Sequence, residues 1–188
     1  MDEKTGYVST DRHYFTCKNP ITNVGNFHII FVVDRSSSVY NYDCQPICSR
    51  TATSRLKLSY NYHLGAVYDA VYTFIETHHS SRKATPSGQM AIDCDIVFIV
   101  LFDYNAFIIF ENKTLSDPER LLTKMIEHQP TGDNYYHEVI KKTSEIIDKY
   151  YDASKTNVII FLSDGEYHIL EPELCSLYER ESNRGTRG

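Results

Sequence analysis

The most constraining stretch of this chain is residues 27–38, FHIIFVVDRSSS, where an apolar run ends in an aspartate, followed by an arginine and three serines. The run consists mainly of β-branched and aromatic side chains, which is typical of a strand buried on both faces. The chain leaves that strand through Asp34, Ser36 and Ser38, in D-x-S-x-S spacing. One carboxylate and two hydroxyls are hard oxygen ligands that suit Mg²⁺ or Ca²⁺. Because ligands of an open α/β sheet bind at the carboxyl ends of its strands, the stretch predicts a cation site there.

The order of the other elements predicts the fold class. Further strands are predicted at 95–101, 106–110 and 158–162, and helices at 64–79, 118–128, 134–151 and 171–179. A very short turn joins the second and third strands, so these two must be antiparallel neighbours. Helices that alternate with the other strands predict a doubly wound, mostly parallel α/β sheet with helices on both faces and one antiparallel edge strand.

The chain is long enough for one domain with a substantial core. We predict a lead-in segment at 1–26, the domain itself at 27–180 and a flexible polar tail at 181–188. Within the domain, residues 40–62 are rich in Ser, Thr, Asn and Cys and predict a long loop.

Charge and hydropathy disfavour several classes of partner. A formal net charge of −6 argues against a general nucleic-acid-binding protein, which needs a basic surface. The longest apolar run, 96–102, is too short to span a bilayer, and the N-terminus shows no signal-peptide core. Five irregularly spaced cysteines predict free thiols in a reducing compartment. We therefore expect a cytoplasmic protein without a membrane span.

Two later loops are expected at the same rim as the D-x-S-x-S motif. Residues 131–133 precede the long helix, and residues 163–165 follow the last strand. If the first and last strands are adjacent and parallel, Asp34 and Asp164 end neighbouring strands. Two such carboxylates repel each other unless a cation lies between them, so the pair predicts a split cation site.

Taken in order, the segments FVVDRSSS, LGAVYDAVYTFI, PTGDNYY and VIIFLSDGE resemble those of a von Willebrand factor A domain with a metal-ion-dependent adhesion site. The resemblance covers about residues 27–180. It implies that Asp34, Ser36, Ser38 and Asp164 bind Mg²⁺, with Ca²⁺ or Mn²⁺ as alternatives. It also implies that one coordination position is left for an acidic residue of a protein partner.

The sequence departs from the family pattern in two places. Asp133 stands where the family has a threonine, so a carboxylate would replace a hydroxyl, and Thr131 is the alternative ligand. Complete domains of this family have further strand–helix units after the last strand found here. The resemblance therefore implies a C-terminally truncated sheet that lacks the last strands. Its last strand would be an exposed apolar edge through which the chain could associate.

These patterns predict a divalent-cation-dependent protein-interaction module rather than an enzyme, with no catalytic residue. Tyr135 and Tyr136 follow the 131–133 loop and are candidates for contact with the partner. One rival is a metal-dependent hydrolase or phosphatase with Asp34 as nucleophile, for which Arg35 is the only nearby cationic group. Nucleotide binding would need a glycine-rich turn that is missing here. A domain fragment without a function of its own is the remaining alternative.

Overall fold

The computed structural model describes residues 27–42, 45–46, 51–83, 95–114, 117–164 and 171–185, so the predicted lead-in at 1–26 lies outside the described residues. The strands are Phe27–Asp34 (β1), Ile96–Phe102 (β2), Ala106–Thr114 (β3) and Thr156–Leu162 (β4). The α-helices are Thr51–Ser59 (α1), His63–Lys83 (α2), Pro118–Met125 (α3), Tyr136–Lys149 (α4) and Glu171–Gly185 (α5). A 3-10 helix, Ser37–Tyr40, follows β1. None of the helices in this part of the chain is both long and apolar enough to cross a membrane.

The strands form one mixed sheet in the order β3-β2-β1-β4. β1 is parallel to both of its neighbours, and β2 pairs with β3 in the antiparallel sense. The predicted fold class, with β3 as an antiparallel edge strand, is confirmed. β1 and β4 pair from Phe27 opposite Thr156 to Val33 opposite Leu162. The carboxyl ends of these two strands are therefore adjacent, as the split cation site requires.

The sheet separates two hydrophobic cores because alternate side chains of a strand point to opposite faces. Phe31 of β1 belongs to the first core and Val32 to the second. Helices α1, α2 and α3 cover the first face, and α4 and α5 cover the second. The helical side chains that complete these cores include Leu56, Tyr68, Ile75, Leu122 and Met125 on the first face and Val139, Ile146, Ile147 and Leu177 on the second. Burial on both faces explains why β1 and β2 are continuous apolar runs.

Two predicted irregular segments contain helix, which corrects those predictions. Within the predicted loop 40–62, α1 buries Leu56 completely against the first face. The prediction failed because Leu56 is the only buried side chain among residues 54–59, so the segment shows no amphipathic period. At the other end, α5 extends to Gly185, into the predicted flexible tail, and Arg184 forms an ion pair with Asp148 of α4.

β4 lies at the edge of the described sheet and has a neighbouring strand on one side only. Its residues 157–162 are all partly exposed, and 158–162 are apolar. The predicted apolar edge strand is thus present in the described part of the fold.

Candidate metal-binding site

Asp34 is the buried centre of the candidate site. It ends β1, and 1% of its surface is exposed. Its Oδ1 atom accepts a hydrogen bond from the backbone N–H of Ser36 at 2.8 Å. Its Oδ2 atom accepts from the Ser163 hydroxyl at 2.9 Å and from the Asn134 side-chain amide at 3.2 Å. These donors satisfy a carboxylate whose burial would otherwise be costly.

The two serines of the D-x-S-x-S motif are brought together directly after β1. The chain turns into the 3-10 helix, and the hydroxyl oxygens of Ser36 and Ser38 lie 2.8 Å apart. Ser36 is 2% exposed. Each hydroxyl oxygen carries two lone pairs, so both serine oxygens can coordinate a cation instead of forming a hydrogen bond with each other.

Asp164 carries a carboxylate whose two oxygens are both buried. It follows Ser163 at the end of β4, on the strand next to Asp34. Both of its carboxylate oxygens are buried, and neither has a hydrogen-bond partner among the described residues. Burying an unpaired charge is strongly unfavourable. This orphaned carboxylate is the feature of the structure that best fits a bound cation.

The loop before α4 is docked on the D-x-S-x-S segment by two backbone hydrogen bonds. Thr131 N–H donates to the carbonyl of Arg35, and Ser37 N–H donates to the carbonyl of Gly132, both at 2.8 Å. Gly132 has a φ of +68°, which only glycine adopts without strain. Glycine at this position therefore lets the loop reach the end of β1.

The structure places the two alternative loop ligands, Asp133 and Thr131, at exposed positions. Oδ2 of Asp133 accepts a hydrogen bond from the Tyr104 hydroxyl at 2.8 Å, and this bond raises the pKa of the Tyr104 phenol. The side chain that reaches Asp34 from this loop is that of Asn134, the next residue. The choice between Asp133 and Thr131 thus stays a prediction.

The two tyrosines proposed as partner contacts differ in environment. Tyr135 is 53% exposed and remains available to a partner, whereas Tyr136 is 6% exposed. The ring of Tyr136 packs against Phe102 and Phe161, and its hydroxyl lies 2.8 Å from the Ser163 hydroxyl. Tyr136 therefore belongs to the core below the site, which corrects the prediction that it contacts a partner.

Arg35, the cationic residue next to Asp34, is already engaged within the fold. Its guanidinium forms a short, largely buried ion pair with Asp103 and lies 4.8 Å above the ring of Phe107. It also donates a long hydrogen bond, 3.4 Å, to the carbonyl of Gln129. Asp103, in the turn between β2 and β3, therefore helps to anchor the site loops. An arginine held in this way is poorly placed to bind a phosphate ester, which disfavours the phosphatase alternative.

Sequence reasoning missed two residues of the site, Asn134 and Ser163, and assigned Tyr136 the wrong role. Ser163 was detectable, because the parallel register that pairs Val33 with Leu162 places the next residue of each strand side by side. The other two depend on side-chain conformation, for which the sequence carries no comparable signal.

The donor set of the site consists of aspartate and serine oxygens. Across the described ranges, no three His, Cys, Asp or Glu side chains cluster where they could hold a metal. A cation at this rim would therefore depend on the serine hydroxyls as well as on the aspartates, a donor set for hard ions.

Neither a family model nor a curated protein matches the sequence. Solved structures do resemble the fold. The conserved hypothetical protein BatB from Bacteroides thetaiotaomicron has a TM-score of 0.56 at 16% identity, over 85% of this chain and 62% of that one. The SpRpn10 VWA domain has a TM-score of 0.57 at 11% identity, over 86% and 71% of the two chains.

A third similar structure is proximal thread matrix protein 1 from the mussel byssus, described with a zinc-occupied MIDAS motif. Its TM-score is 0.52 at 18% identity, over 84% of this chain and 34% of that one. The chain thus spans less than two thirds of the BatB chain and about a third of the mussel protein. Together these likenesses define the class: the chain has a von Willebrand factor A fold.

Proposed function

We propose that this chain is a divalent-cation-dependent protein-interaction module with a metal-ion-dependent adhesion site. The observation that carries the proposal is the buried carboxylate of Asp164, which follows the strand next to Asp34 and has no hydrogen-bond partner among the described residues. Two acidic side chains at neighbouring strand ends destabilise the fold unless a positive charge joins them. A bound cation would supply that charge.

The proposed ligands are the oxygens of Asp34, Ser36, Ser38 and Asp164, completed by Asp133 or by Thr131. This donor set favours Mg²⁺, with Ca²⁺ or Mn²⁺ as alternatives. When bound, the ion would act as a Lewis acid that accepts a carboxylate oxygen from a protein partner. The zinc-occupied motif of the mussel protein supports metal binding by this fold.

Two further expectations accompany the proposal. The first is association of the chain through the exposed edge of β4, which analytical ultracentrifugation would detect as a concentration-dependent oligomer. The second is a reducing, cytosolic location, in which the exposed thiol of Cys175 would remain free.

The proposal is tested by calorimetric titration of the EDTA-treated protein with MgCl₂. We expect a binding isotherm for the wild type and its loss in Asp34→Asn, which keeps the shape of the buried side chain. Asp152→Ala, which removes an exposed aspartate bonded to Ser154, is the matched control and should bind normally. Equal Mg²⁺ affinity in the wild type and Asp34→Asn would refute the site.

The same samples separate the proposal from the hydrolase alternative. We expect no Mg²⁺-dependent turnover of a phosphate monoester such as p-nitrophenyl phosphate. Turnover that disappears in Asp34→Asn but persists in Asp152→Ala would replace the interaction module with an enzyme.

A further inference from the structure

We propose that the cleft between α4 and α5 is a further binding site, whose ligand is a small zwitterion about as long as a dipeptide. A cavity of about 280 Å³ lies between these two helices, and none of the residues that line it belongs to the candidate metal site. Its volume is near the lower end of the range for ligand pockets, roughly 300 to 1,000 Å³, so its ligand is small. The inference goes beyond the proposed function and does not depend on it.

The two helices that enclose the cavity run side by side in the same direction. In their first turns, Nδ1 of His137 lies 3.7 Å from Oε1 of Glu173. Closer to their other ends, Asp148 of α4 forms ion pairs with Arg180 and Arg184 of α5. The cleft is therefore bounded by contacts between the helices at both of its ends.

The α4 wall of the cleft is polar where two packed helices are usually apolar. It consists of His137, Ile140, Lys141 and Ser144, which follow the i, i+3, i+4, i+7 spacing of a single helix face. Such a face normally carries the apolar stripe of a helix, yet Ile140 is its only apolar member. The wall therefore does not form a dry contact with α5.

The α5 wall has the same pattern. It consists of Glu173, Ser176, Leu177 and Arg180, again in i, i+3, i+4, i+7 spacing, and only Leu177 is apolar. Ile140 and Leu177 are each 7% exposed and form an apolar floor. Charged and hydroxyl groups stand above this floor on both walls, and such groups need polar partners. The cleft is therefore suited to a polar ligand.

Two groups of opposite charge in the cleft have unused hydrogen-bonding capacity. Oε2 of Glu173 and Nη2 of Arg180 are buried and have no hydrogen-bond partner among the described residues. The other contacts of the Arg180 guanidinium are long, 3.3 Å to Asp148 and 3.6 Å to Glu181. The two side chains are 34% and 36% exposed, so rotation about the last side-chain torsion angle lets both atoms reach a ligand. Each would gain a charge-assisted hydrogen bond from a ligand group of opposite charge.

The mixture of charges in the cleft selects a ligand that carries both signs. A simple anion would bind Arg180 and Lys141 but would be repelled by Glu173. A simple amine would bind Glu173 and would be repelled by the two cationic side chains. A zwitterion satisfies both ends of the cleft, because its ammonium group binds Glu173 while its carboxylate binds Arg180.

The spacing of the two charged residues along α5 sets the length of the ligand. Glu173 and Arg180 are seven positions apart, which is about 10 Å of helical rise. Hydrogen bonds of about 2.8 Å at the two ends leave roughly 5 to 10 Å for the ligand, depending on their direction. The charged groups of one α-amino acid share a carbon atom and are too close together, whereas an extended dipeptide spans about 7 Å. Ser176 lies between the two charged residues on α5, where its hydroxyl can bind the peptide group.

The test is an NMR titration of the full, isotope-labelled chain with alanylalanine in EDTA, so that no metal ion contributes. Two blocked peptides are the matched ligands. N-acetyl-alanylalanine lacks the ammonium group, and alanylalanine amide lacks the carboxylate. We expect saturable shifts of the backbone amide signals of α4 and α5 with alanylalanine, and affinities about tenfold weaker for each blocked peptide.

Two variants assign the ends of the ligand. In Glu173→Gln, alanylalanine should bind about tenfold more weakly and no better than its acetylated form. In Arg180→Gln, it should bind no better than its amide. Lys142→Gln, on α4 outside the cavity and hydrogen-bonded to Glu145, is the control and should bind like the wild type. Because two peptides are compared on the same protein, a change in stability does not produce this pattern.

Three results would overturn the inference. The first is the absence of saturable shifts with alanylalanine, and the second is a blocked peptide that binds the wild type as tightly as the free dipeptide. The third is binding by Glu173→Gln and Arg180→Gln that equals binding by Lys142→Gln. None of these results bears on the metal site, and a failure to bind Mg²⁺ would leave this inference unchanged.

Discussion

The hydroxyl of Ser163 donates a 2.9 Å hydrogen bond to Oδ2 of Asp34, although 129 residues separate the two in sequence. The contact exists because β1 and β4 are parallel neighbours whose pairing ends at Val33 and Leu162. The residues that follow each strand therefore meet at the same rim. The candidate site is a property of the assembled sheet and is absent from any single segment of the chain.

Tyr136→Phe tests whether the core below the site positions its ligands. The substitution removes the hydroxyl that lies 2.8 Å from the Ser163 hydroxyl. We expect a loss of about 1 kcal/mol in the free energy of unfolding and a loss of Mg²⁺ affinity on the order of tenfold. Urea denaturation and calorimetry measure the two effects.

The control for this change is Tyr150→Phe. The Tyr150 hydroxyl lies away from the site and donates a 3.0 Å hydrogen bond to Glu111. This substitution removes the same group and should leave Mg²⁺ affinity unchanged. Equal affinities in Tyr136→Phe and Tyr150→Phe would show that Tyr136 has only a structural role.

Asp133→Thr and Thr131→Val determine which loop residue completes the metal site. Asp133→Thr restores the hydroxyl typical of the family and removes a negative charge, so we expect weaker Mg²⁺ binding by calorimetry. Thr131→Val keeps the shape of the side chain and should bind normally. The reverse pattern, a loss only in Thr131→Val, would assign the ligand to Thr131.

Gly132→Ala should destabilise the loop that is docked on β1. The residue has a φ of +68°, and an added Cβ would lie 2.5 Å from Cδ2 of Tyr104. We expect a loss of at least about 1 kcal/mol in the free energy of unfolding, measured by urea denaturation.

A double variant separates the two causes of that loss. Tyr104→Ala in the Gly132→Ala background removes the steric clash and leaves the backbone strain, so stability should recover in part. If Gly132→Ala is as stable as the wild type, the loop conformation described here is wrong.

Two histidines whose pKa is lowered by burial predict a loss of stability on acidification. Burial lowers the pKa of His28 and of His128 below the ordinary value of 6.5. Below about pH 6.5, the unfolded chain therefore binds more protons than the folded chain. The free energy of unfolding is thus highest above that pH and falls as the pH drops below it. Urea midpoints across this range measure the effect.

The variant His28→Leu removes one of these groups and should flatten the fall in stability with pH. His137→Gln is the control, because its side chain is 63% exposed. Identical pH profiles in His28→Leu and the wild type would show that His28 does not contribute.

The sequence predicts a helix or strand correctly where burial gives the segment an amphipathic period or a continuous apolar run. β1 and β2 are buried on both faces, and the amphipathic stripe of α4 includes Val139 and Ile147. α1 was missed because its residues 54–59 bury only Leu56, and such a sequence resembles that of a polar loop.

The site was predictable only in part, for a related reason. Asp34 and Asp164 stand at the carboxyl ends of apolar strands, and parallel topology implies that such strand ends meet. Strand register alone points to Ser163 as a neighbour of Asp34, whereas the contact with Asn134 depends on side-chain rotamers and is evident only in the structure. The burial of Tyr136 could not be predicted from the sequence, because its neighbour Tyr135 has the same side chain and is exposed.

The most direct test of the cation site is thermal unfolding of the wild type and of Asp164→Asn, each with and without Mg²⁺. Without the ion, the variant should melt at the higher temperature, because a neutral amide replaces a buried carboxylate that has no partner among the described residues. With Mg²⁺ at about one hundred times its Kd, the wild type should gain about 2.7 kcal/mol, and Asp164→Asn should gain nothing. An equal Mg²⁺-induced rise in the melting temperature of both proteins, or no rise in the wild type, would contradict a cation site between Asp34 and Asp164.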